Sequence, residues 1–493
     1  MAAAVAAVER GYSVELLEQG KTLGGRAGSF VDSTMGEKVD YCQHVAMGCC
    51  TEFVDFCRRT GIDDCFDRVG TLHFIGPDGR RCDFTPSRWL PAPLHLLPGL
   101  MRLKYLSWSE RWSIVRTLRK LVHNNTTTDN SRAPTARGCN DEEHRGPLAP
   151  GYLDGLNDVA NLHDETIEAA NTGSESHSPL PNPLPRGEGT IGDWLRRQGQ
   201  SELVIERFWS VVLVSALGET VDRASLAAAR KVFRDGFVAS REASELLLPR
   251  RPLVEIFHDR LGKWLADRGV AVRLGASVRK IEGDGRRAGE LVLADGARRA
   301  FDAAIVAVPW RRVRGLFAEN LLSQMPSLAD VERIEPAAIT AVHLWFDRPI
   351  TPLPHAVLVG RLSQWLFAKP CGAGRHYYQV VVSASHRLGP RTHDVWLADV
   401  RGELEAEWPE ARRAKLLHGR VVTQPAAVFS MTPEVERFRP PQQTPLGNLS
   451  LAGDWTSTGW PATMEGAVRS GRQAAELLLG AAASRSPLPL GEG

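Results

Sequence analysis

Near the start of the chain, one short segment carries residues suited to holding a nucleotide. Glu18 ends a short apolar run, and a carboxylate at a strand end can accept hydrogen bonds from the two vicinal hydroxyls of a ribose. Six residues later, Gly24, Gly25 and Arg26 combine two residues without side chains with a guanidinium that can neutralise phosphate oxygens. Taken alone, each feature is also compatible with an ordinary surface strand or turn, but their spacing favours a nucleotide site.

A second segment with chemical potential, LAGDWTSTGWPATMEGAVRSG, lies near the C-terminus. Gly453 and Asp454 end a predicted strand, and we expect Pro461 at the first position of a helix. The free amides and positive dipole end of such a helix would stabilise negative charge on a reduced cofactor, without a metal. The alternative is a capped surface helix, which leaves the clustering of Gly453 and Asp454 with Trp460 and Met464 unexplained.

These segments need a nucleotide-binding unit to position them. The first ten residues predict the end of a helix, with Gly11 as its stop, followed by a strand that ends at Glu18. A Rossmann unit places a strand and a G-x-G-x-x-G turn before such a helix. The sequence does not contain them, and we expect them to be encoded upstream of Met1. Further strands are predicted within 270–281 and 291–308, and a helix over 461–479.

The sequence therefore predicts an α/β protein in which a Rossmann-type domain, lacking its first strand and glycine loop, accompanies a mixed α+β substrate domain. We expect the first domain to be discontinuous, over residues 1–60, 245–310 and 447–480. The second domain is expected over 61–122, 190–244 and 311–446. Between them, 123–189 are polar and lack apolar periodicity, which predicts a disordered insertion, and 481–493 form a low-complexity tail.

Composition narrows the class of protein. The 493 residues carry 60 Lys plus Arg and 58 Asp plus Glu, and this near balance argues against a nucleic-acid partner. Eight cysteines show no paired C-x-x-C spacing, so neither a metal site nor a disulfide framework is expected. Without a secretory signal or an apolar run of about 18 residues, a cytoplasmic location is predicted.

An amphipathic stretch leaves contact with the inner membrane surface open. RWLPAPLHLLPGLMRLKYLSW is apolar and punctuated by prolines, and it leads into a basic helix. A stripe at helical spacing comprises Trp108, Trp112, Val115, Leu118 and Val122, and the nearby positive charges are Arg111, Arg116, Arg119 and Lys120. Such a stripe either faces the protein core or docks shallowly on a membrane.

Five segments together resemble one known family: ERGYSVELLEQGKTLGGRAGSF, VDYCQHVAMGCCTEF, DWLRRQGQSELVIERFWSVVLVSALGE, ASVRKIE and LAGDWTSTGWPATMEGAVRSG. The chain resembles the FAD-dependent amine oxidase and phytoene desaturase superfamily, and within it the squalene-associated branch of hydroxysqualene dehydroxylases. The resemblance implies that FAD is the cofactor. It also implies reductive removal of a hydroxyl from a C30 isoprenoid, hydroxysqualene, to give squalene for hopanoids, with a reductant that the sequence does not identify.

The resemblance also implies roles for individual residues. Glu18 would hold the adenosine ribose, Val278 the adenine through its backbone, and Met464 would approach the flavin ring. The remaining residues expected at the cofactor are Gly24, Gly25, Arg26, Gly453, Asp454 and Trp460. The usual Asn-Gly of the family is replaced by Tyr41-Cys42 in this chain.

Asp40, Gln43 and His44 form the candidate catalytic cluster. His44 is the predicted proton donor to the leaving hydroxyl near neutral pH, and the alternative is a structural histidine bonded to backbone. Three other functions remain open at this point. They are an FAD-dependent polyisoprenoid desaturase, an amine oxidase with an aromatic cage, and a non-catalytic isoprenoid-binding relic with impaired FAD binding.

Overall fold

The structure is a computed structural model and describes residues 1–123, 188–372 and 374–483. The strands are β1 Glu15–Glu18, β2 Ser29–Val31, β3 Lys38–Asp40, β4 Ala46–Met47, β5 Phe66–Val69, β6 Leu72–Ile75, β7 Arg81–Phe84, β8 Leu246–Pro249, β9 Ala271–Leu274, β10 Val278–Gly283, β11 Ala288–Leu293, β12 Arg298–Ala300, β13 Ala304–Val306, β14 Pro336–Phe346, β15 His355–Leu358, β16 Trp365–Lys369, β17 His376–Ser383, β18 Leu416–Phe429 and β19 Leu449–Leu451.

The α-helices are α1 Ala2–Val8, α2 Thr51–Arg59, α3 Leu97–Met101, α4 Trp108–His123, α5 Ile191–Arg197, α6 Glu202–Val204, α7 Ser210–Leu217, α8 Leu226–Phe233, α9 Leu261–Asp267, α10 Trp310–Val313, α11 Glu319–Leu322, α12 His393–Glu407, α13 Pro409–Arg413 and α14 Met464–Ala483. The predicted disordered insertion lies outside the described residues, apart from its two ends. His123 closes α4, and Glu188 accepts a hydrogen bond from Arg230.

Two parallel strand pairs and two helices form the Rossmann-type part. β1 pairs with β9, and β13 pairs with β19. Helices α1 and α14 pack through Ala6, Ala7, Ala475 and Leu479, and their backbones approach closely, since a Cβ on Gly471 would lie 2.9 Å from the backbone N of Ala3. The predicted helix stop is confirmed, because α1 ends at Val8 and Gly11 adopts a φ of +81°. An α/β fold is thus present, while the exact domain limits stay a prediction.

Two strands within the predicted ranges 270–281 and 291–308 join the Rossmann-type part, since β9 pairs with β1 and β13 with β19. Between them, β10, β11 and β12 form an antiparallel sheet of their own. Tight turns join these three strands: the Asp284 carboxylate accepts two backbone N–H groups of its own turn, and the Asp295 carboxylate accepts one. Such turns join neighbouring antiparallel strands, whereas parallel neighbours need a long crossover.

A seven-stranded sheet provides the platform of the second part, in the order β18-β14-β17-β16-β15-β6-β7. Successive side chains of a strand point to opposite faces of its sheet, so β14 contributes side chains to the packing layers on both faces. Val342 and Leu344 pack in the layer that contains Trp396 of α12. Ala341 packs on the other face with Cys42, which follows β3. This second face therefore brings the Asp40–His44 segment onto the sheet.

Helix α4 divides the predicted apolar stripe in two. Ile114 and Leu121 are fully buried, and the predicted stripe members Val115, Leu118 and Val122 pack against the same core. Trp108 and Trp112 instead lie exposed at the start of the helix. The stripe therefore does not face the core along its whole length, because the two tryptophans are on a part of the helix that the core does not cover.

Acid should destabilise the fold through buried histidines. Burial, with a smaller effect from His73, lowers the pKa of His355 to about 4. The folded chain then keeps this ring neutral while the unfolded chain protonates it below about pH 6.5, so stability is lost as the pH falls from about 6.5 towards 4. We expect His355→Phe to reduce the loss of unfolding free energy between pH 7 and pH 5 by about 2 kcal/mol.

Urea unfolding at both pH values measures this difference. His393→Phe is the matched control, because it makes the same substitution at a histidine that is half exposed at the start of α12. Equal pH dependence in wild type and His355→Phe would contradict the prediction.

Candidate cofactor and active site

The residues proposed for the adenosine end lie together. Glu18 closes β1, and its carboxylate accepts the backbone N–H of Gly20 at 2.6 Å. Its backbone carbonyl accepts the N–H of Ala276 at 2.9 Å, two residues before Val278 begins β10. The β9–β10 connection thus brings Val278 beside the strand end that carries Glu18, although the two residues lie far apart in the sequence.

The Gly24-Gly25-Arg26 turn has the geometry of a cradle. Gly24 and Gly25 have φ values of +116° and +58°, in the left-handed region that glycine tolerates. A Cβ on Gly24 would lie 2.6 Å from the carbonyl oxygen of Ala27, whereas one on Gly25 would project into open space. A ligand can therefore approach the backbone at Gly25.

Arg26 joins this turn to the C-terminal segment. Its guanidinium donates to the carbonyl of Ala427 at 2.8 Å and to the carboxylate of Asp454 at 2.5 Å. Asp454 is almost fully buried, while about a third of the Arg26 side chain is exposed. The carboxylate thus fixes the arginine, whose side chain stays partly exposed. Contact of Asp454 with the cofactor itself stays a prediction.

The helix after this segment begins later than expected. α14 starts at Met464, and Thr463 is its N-cap: the Thr463 hydroxyl accepts the N–H of Gly466 at 3.1 Å. The expectation of Pro461 as the first helical residue was therefore wrong, since the threonine satisfies a free amide at the helix start. Trp460 and Met464 both pack with the cluster that contains Leu23.

Gly453 should tolerate no side chain. Its φ is +145°, and an added Cβ would lie 2.2 Å from Nε1 of Trp455. We expect Gly453→Ala to lower the unfolding free energy by about 3 kcal/mol through strain and overpacking. Thermal unfolding measures the loss. Gly480→Ala is the control, because its Cβ meets nothing within 4 Å in α14 and alanine favours a helix. Equal stability of the two variants would contradict this geometry.

Asp40, Gln43 and His44, the candidate catalytic cluster, each form hydrogen bonds within the protein. Asp40 is buried and accepts hydrogen bonds from the Ser29 hydroxyl and the Leu253 N–H, both at 2.7 Å. The Gln43 amide N–H donates to the carbonyl of His44, and its Oε1 is buried without a hydrogen-bond partner among the described residues. That oxygen is free to accept a bond from a bound group.

His44 does not have the protonation state that was expected. Its Nδ1 lies 3.1 Å from the carbonyl of Cys42. Burial lowers the pKa of His44, against smaller raising effects of that carbonyl and of Asp40. The ring is therefore neutral at pH 7, so the expectation of a proton donor near neutral pH does not follow from this environment. A neutral imidazole can still orient a substrate by hydrogen bonding.

Lys369 is the residue of this site that sequence reasoning missed. It ends β16 with its ammonium 4.0 Å from Oδ2 of Asp40, and its side chain is 13 % exposed. Burial lowers the pKa of Lys369, while the nearby Asp40 and Cys42 raise it. A single lysine before a proline gives no signal in the sequence; only the pairing of β16 with its neighbours carries it to Asp40.

Several features fit a bound dinucleotide. Open space lies over Gly25, the partly exposed side chain of Arg26 follows it, and the buried Oε1 of Gln43 has no hydrogen-bond donor among the described residues. Among residues 1–123, 188–372 and 374–483, no group of three or more His, Cys, Asp or Glu side chains could hold a metal ion. Within the same ranges, no helix is long and apolar enough to cross a membrane.

The family of flavin-containing amine oxidoreductases matches residues 1–479, and the chain belongs to this family. It is an FAD-dependent oxidoreductase with FAD as its cofactor. The chain is 33 % identical to hydroxysqualene dehydroxylase of Sinorhizobium fredii over 275 aligned residues, which cover 54 % of this chain and 61 % of that protein. For the protein of the same name from Rhodopseudomonas palustris the identity is 31 % over 297 residues, 59 % of this chain and 66 % of that protein.

Other relatives broaden the comparison. The chloroplastic 15-cis-phytoene desaturase of Solanum lycopersicum is 25 % identical over 312 residues, 59 % of this chain and 52 % of that protein. The solved structure of cyclohexylamine oxidase from Brevibacterium oxydans aligns with a TM-score of 0.64 at 16 % identity, covering 98 % of this chain and 97 % of that one. The last similarity confirms the fold predicted from sequence. The individual site residues stay predictions.

Proposed function

We propose that the protein removes the hydroxyl of hydroxysqualene reductively and yields squalene for hopanoid biosynthesis. The observation that carries the proposal is a buried ammonium, Lys369, held beside Asp40 next to an apolar sheet face. An apolar isoprenoid needs such walls, and a leaving hydroxyl needs one proton donor within them. The similarity to proteins named hydroxysqualene dehydroxylase supports the choice of substrate.

FAD, when bound in its reduced form, supplies the hydride that replaces the hydroxyl. The chain supplies the proton: the N–H of Lys369 Nζ is donated to the substrate oxygen, which leaves as water when the carbon–oxygen bond breaks. Asp40 holds the ammonium in place, and neutral His44 orients the hydroxyl. The balance is one alcohol, one proton and one hydride giving one hydrocarbon and one water.

A polyisoprenoid desaturase is the second candidate, favoured by the similarity to phytoene desaturase. It would take hydride away from its substrate, so the two functions run in opposite redox directions. An amine oxidase would likewise oxidise its substrate.

Product analysis separates these functions. In the first incubation, purified protein with FAD receives hydroxysqualene and a chemical reductant in the absence of oxygen. In the second, the same protein with oxidised FAD receives phytoene or a primary amine, and a quinone serves as electron acceptor. Squalene from the first incubation alone supports the proposal. Products from the phytoene or amine incubation alone would contradict it, and no product with no retained flavin would favour the non-catalytic relic.

We also propose that the protein is cytoplasmic and works at the inner membrane surface, because a C30 hydrocarbon and its alcohol dissolve in lipid rather than in water. Such a substrate reaches an enzyme most readily from the bilayer. The proposal requires a part of the chain that contacts lipid without spanning it.

A further inference from the structure

An unusual group of exposed apolar side chains lies between β7 and the first turns of α4. Trp89 is 93 % exposed, Trp108 61 %, Leu94 52 % and Trp112 46 %. We call these four residues the Trp89 surface. Single exposed apolar residues are ordinary, but three tryptophans and a leucine within 24 residues of sequence keep a large apolar area in water, which marks an interaction surface.

The pieces that carry the Trp89 surface are tied to one another. The N–H of Ser87 donates to the carbonyl of His95 at 2.7 Å and closes the loop that presents Trp89. Leu94 begins the turn that leads directly into α3. Arg111 then joins α4 to α3, because its guanidinium donates to the carbonyl of Met101 at 2.8 Å.

Arg111 also lies over the ring of Trp108, 5.4 Å from the ring centroid. Trp108 and Trp112 are one helical turn apart and therefore share a face of α4. The exposed rings thus stand on a fixed scaffold rather than on a free end.

The segment that carries these rings is rich in positive charge. Residues 88–123 contain seven lysines and arginines and one carboxylate, Glu110. Arg88, Arg102, Lys104 and Arg116 are exposed. Glu110 is occupied locally, since its carboxylate accepts the N–H of Ser107 at 2.6 Å. Tryptophan next to lysine and arginine is the combination that settles at the boundary of an anionic bilayer.

We propose that the Trp89 surface inserts shallowly into an anionic lipid surface. The rings of Trp89, Trp108 and Trp112 would enter the headgroup region, and the exposed cations would contact lipid phosphates. The inference rests on the proposed function for its biological purpose, which is delivery of a lipid-dissolved isoprenoid. Its physical basis is independent of catalysis, because it uses only exposure and charge.

Vesicle flotation tests the proposal without substrate or turnover. The full chain is mixed with vesicles of phosphatidylcholine alone, or of phosphatidylcholine with phosphatidylglycerol. We expect binding to the mixed vesicles and weaker binding at high salt. The triple variant Trp89→Ser, Trp108→Ser and Trp112→Ser should bind at least about tenfold more weakly, and Arg102→Gln with Lys104→Gln should bind less only where phosphatidylglycerol is present.

Control variants change exposed residues elsewhere in the chain. Leu388→Ser with Leu417→Ser removes apolar side chains that are 41 % and 42 % exposed, and Arg286→Gln with Arg413→Gln removes exposed charge. Both should bind like wild type. Quenching of tryptophan fluorescence by brominated lipid gives a second readout, which Trp89→Phe should diminish.

Absence of binding by the wild type, or equal binding by all variants, would overturn the proposal. Self-association that depends on the three tryptophans, without vesicle binding, would also overturn it and assign the surface to a second copy of the chain. If the vesicles bind as expected but no dehydroxylation is detected, the lipid-binding proposal is supported and the proposed function is rejected.

Discussion

Replacing Arg26 with methionine is expected to weaken FAD binding about 10- to 100-fold, because a charge-assisted contact to a phosphate is lost. Methionine keeps the apolar stem but cannot donate to the accessible side of the cradle. Titration of the flavin-free protein with FAD, followed by flavin fluorescence, measures the change. Lys21→Met is the control, since Lys21 is exposed five residues earlier.

A second variant separates binding from folding. Removing Arg26 also leaves the buried carboxylate of Asp454 without its ion-pair partner, and an unpaired buried charge destabilises a protein by about 3–5 kcal/mol. Arg26→Met combined with Asp454→Asn removes that charge and should recover most of the stability. FAD affinity should stay low in the double variant. Recovery of both stability and affinity would show that Arg26 acts only by neutralising Asp454.

Replacing Lys369 with methionine is expected to lower the rate of dehydroxylation about 10²- to 10⁴-fold, the usual size of a lost general-acid contribution. The absorbance spectrum of bound FAD should be unchanged, because Lys369 is assigned to the substrate and not to the cofactor. Single-turnover kinetics with pre-reduced protein measure the step. Lys415→Met, which removes an exposed lysine, is the control.

The pH profile distinguishes a proton donor from a structural lysine. Burial lowers the pKa of Lys369, so the rate should fall on the alkaline side at a lower pH than for an ordinary lysine. Asp40 raises that pKa, and Asp40→Asn should therefore move the alkaline fall to still lower pH. An unshifted profile in Asp40→Asn, or a full rate in Lys369→Met, would remove Lys369 from the mechanism.

Local chemistry made much of the cofactor segment predictable from the sequence. Two adjacent glycines and an arginine six residues after a strand end predicted a turn that a ligand can approach, and the structure gives both glycines positive φ. The short run ending at Glu18 forms the strand that was predicted. Such features depend on nearest neighbours in the chain, which a single sequence displays directly.

Features that depend on distant pairing were not predictable. Asp454 binds Arg26 across 428 residues, and Lys369 reaches Asp40 only through the order of strands in the sheet. The neutral state of His44 likewise follows from burial, which periodicity does not report for a loop residue. At α4, helical spacing identified one stripe but not where the core ends beneath it.

The redox direction is the central claim, and one anaerobic titration tests it most directly. Protein with bound FAD is reduced by light in the absence of oxygen, and hydroxysqualene is then added while the oxidised flavin band near 450 nm is followed. The account predicts that the oxidised band returns with one squalene formed for each flavin. Two results together would contradict it: the band stays bleached after hydroxysqualene is added, and phytoene bleaches the band when it is added to protein that carries oxidised FAD.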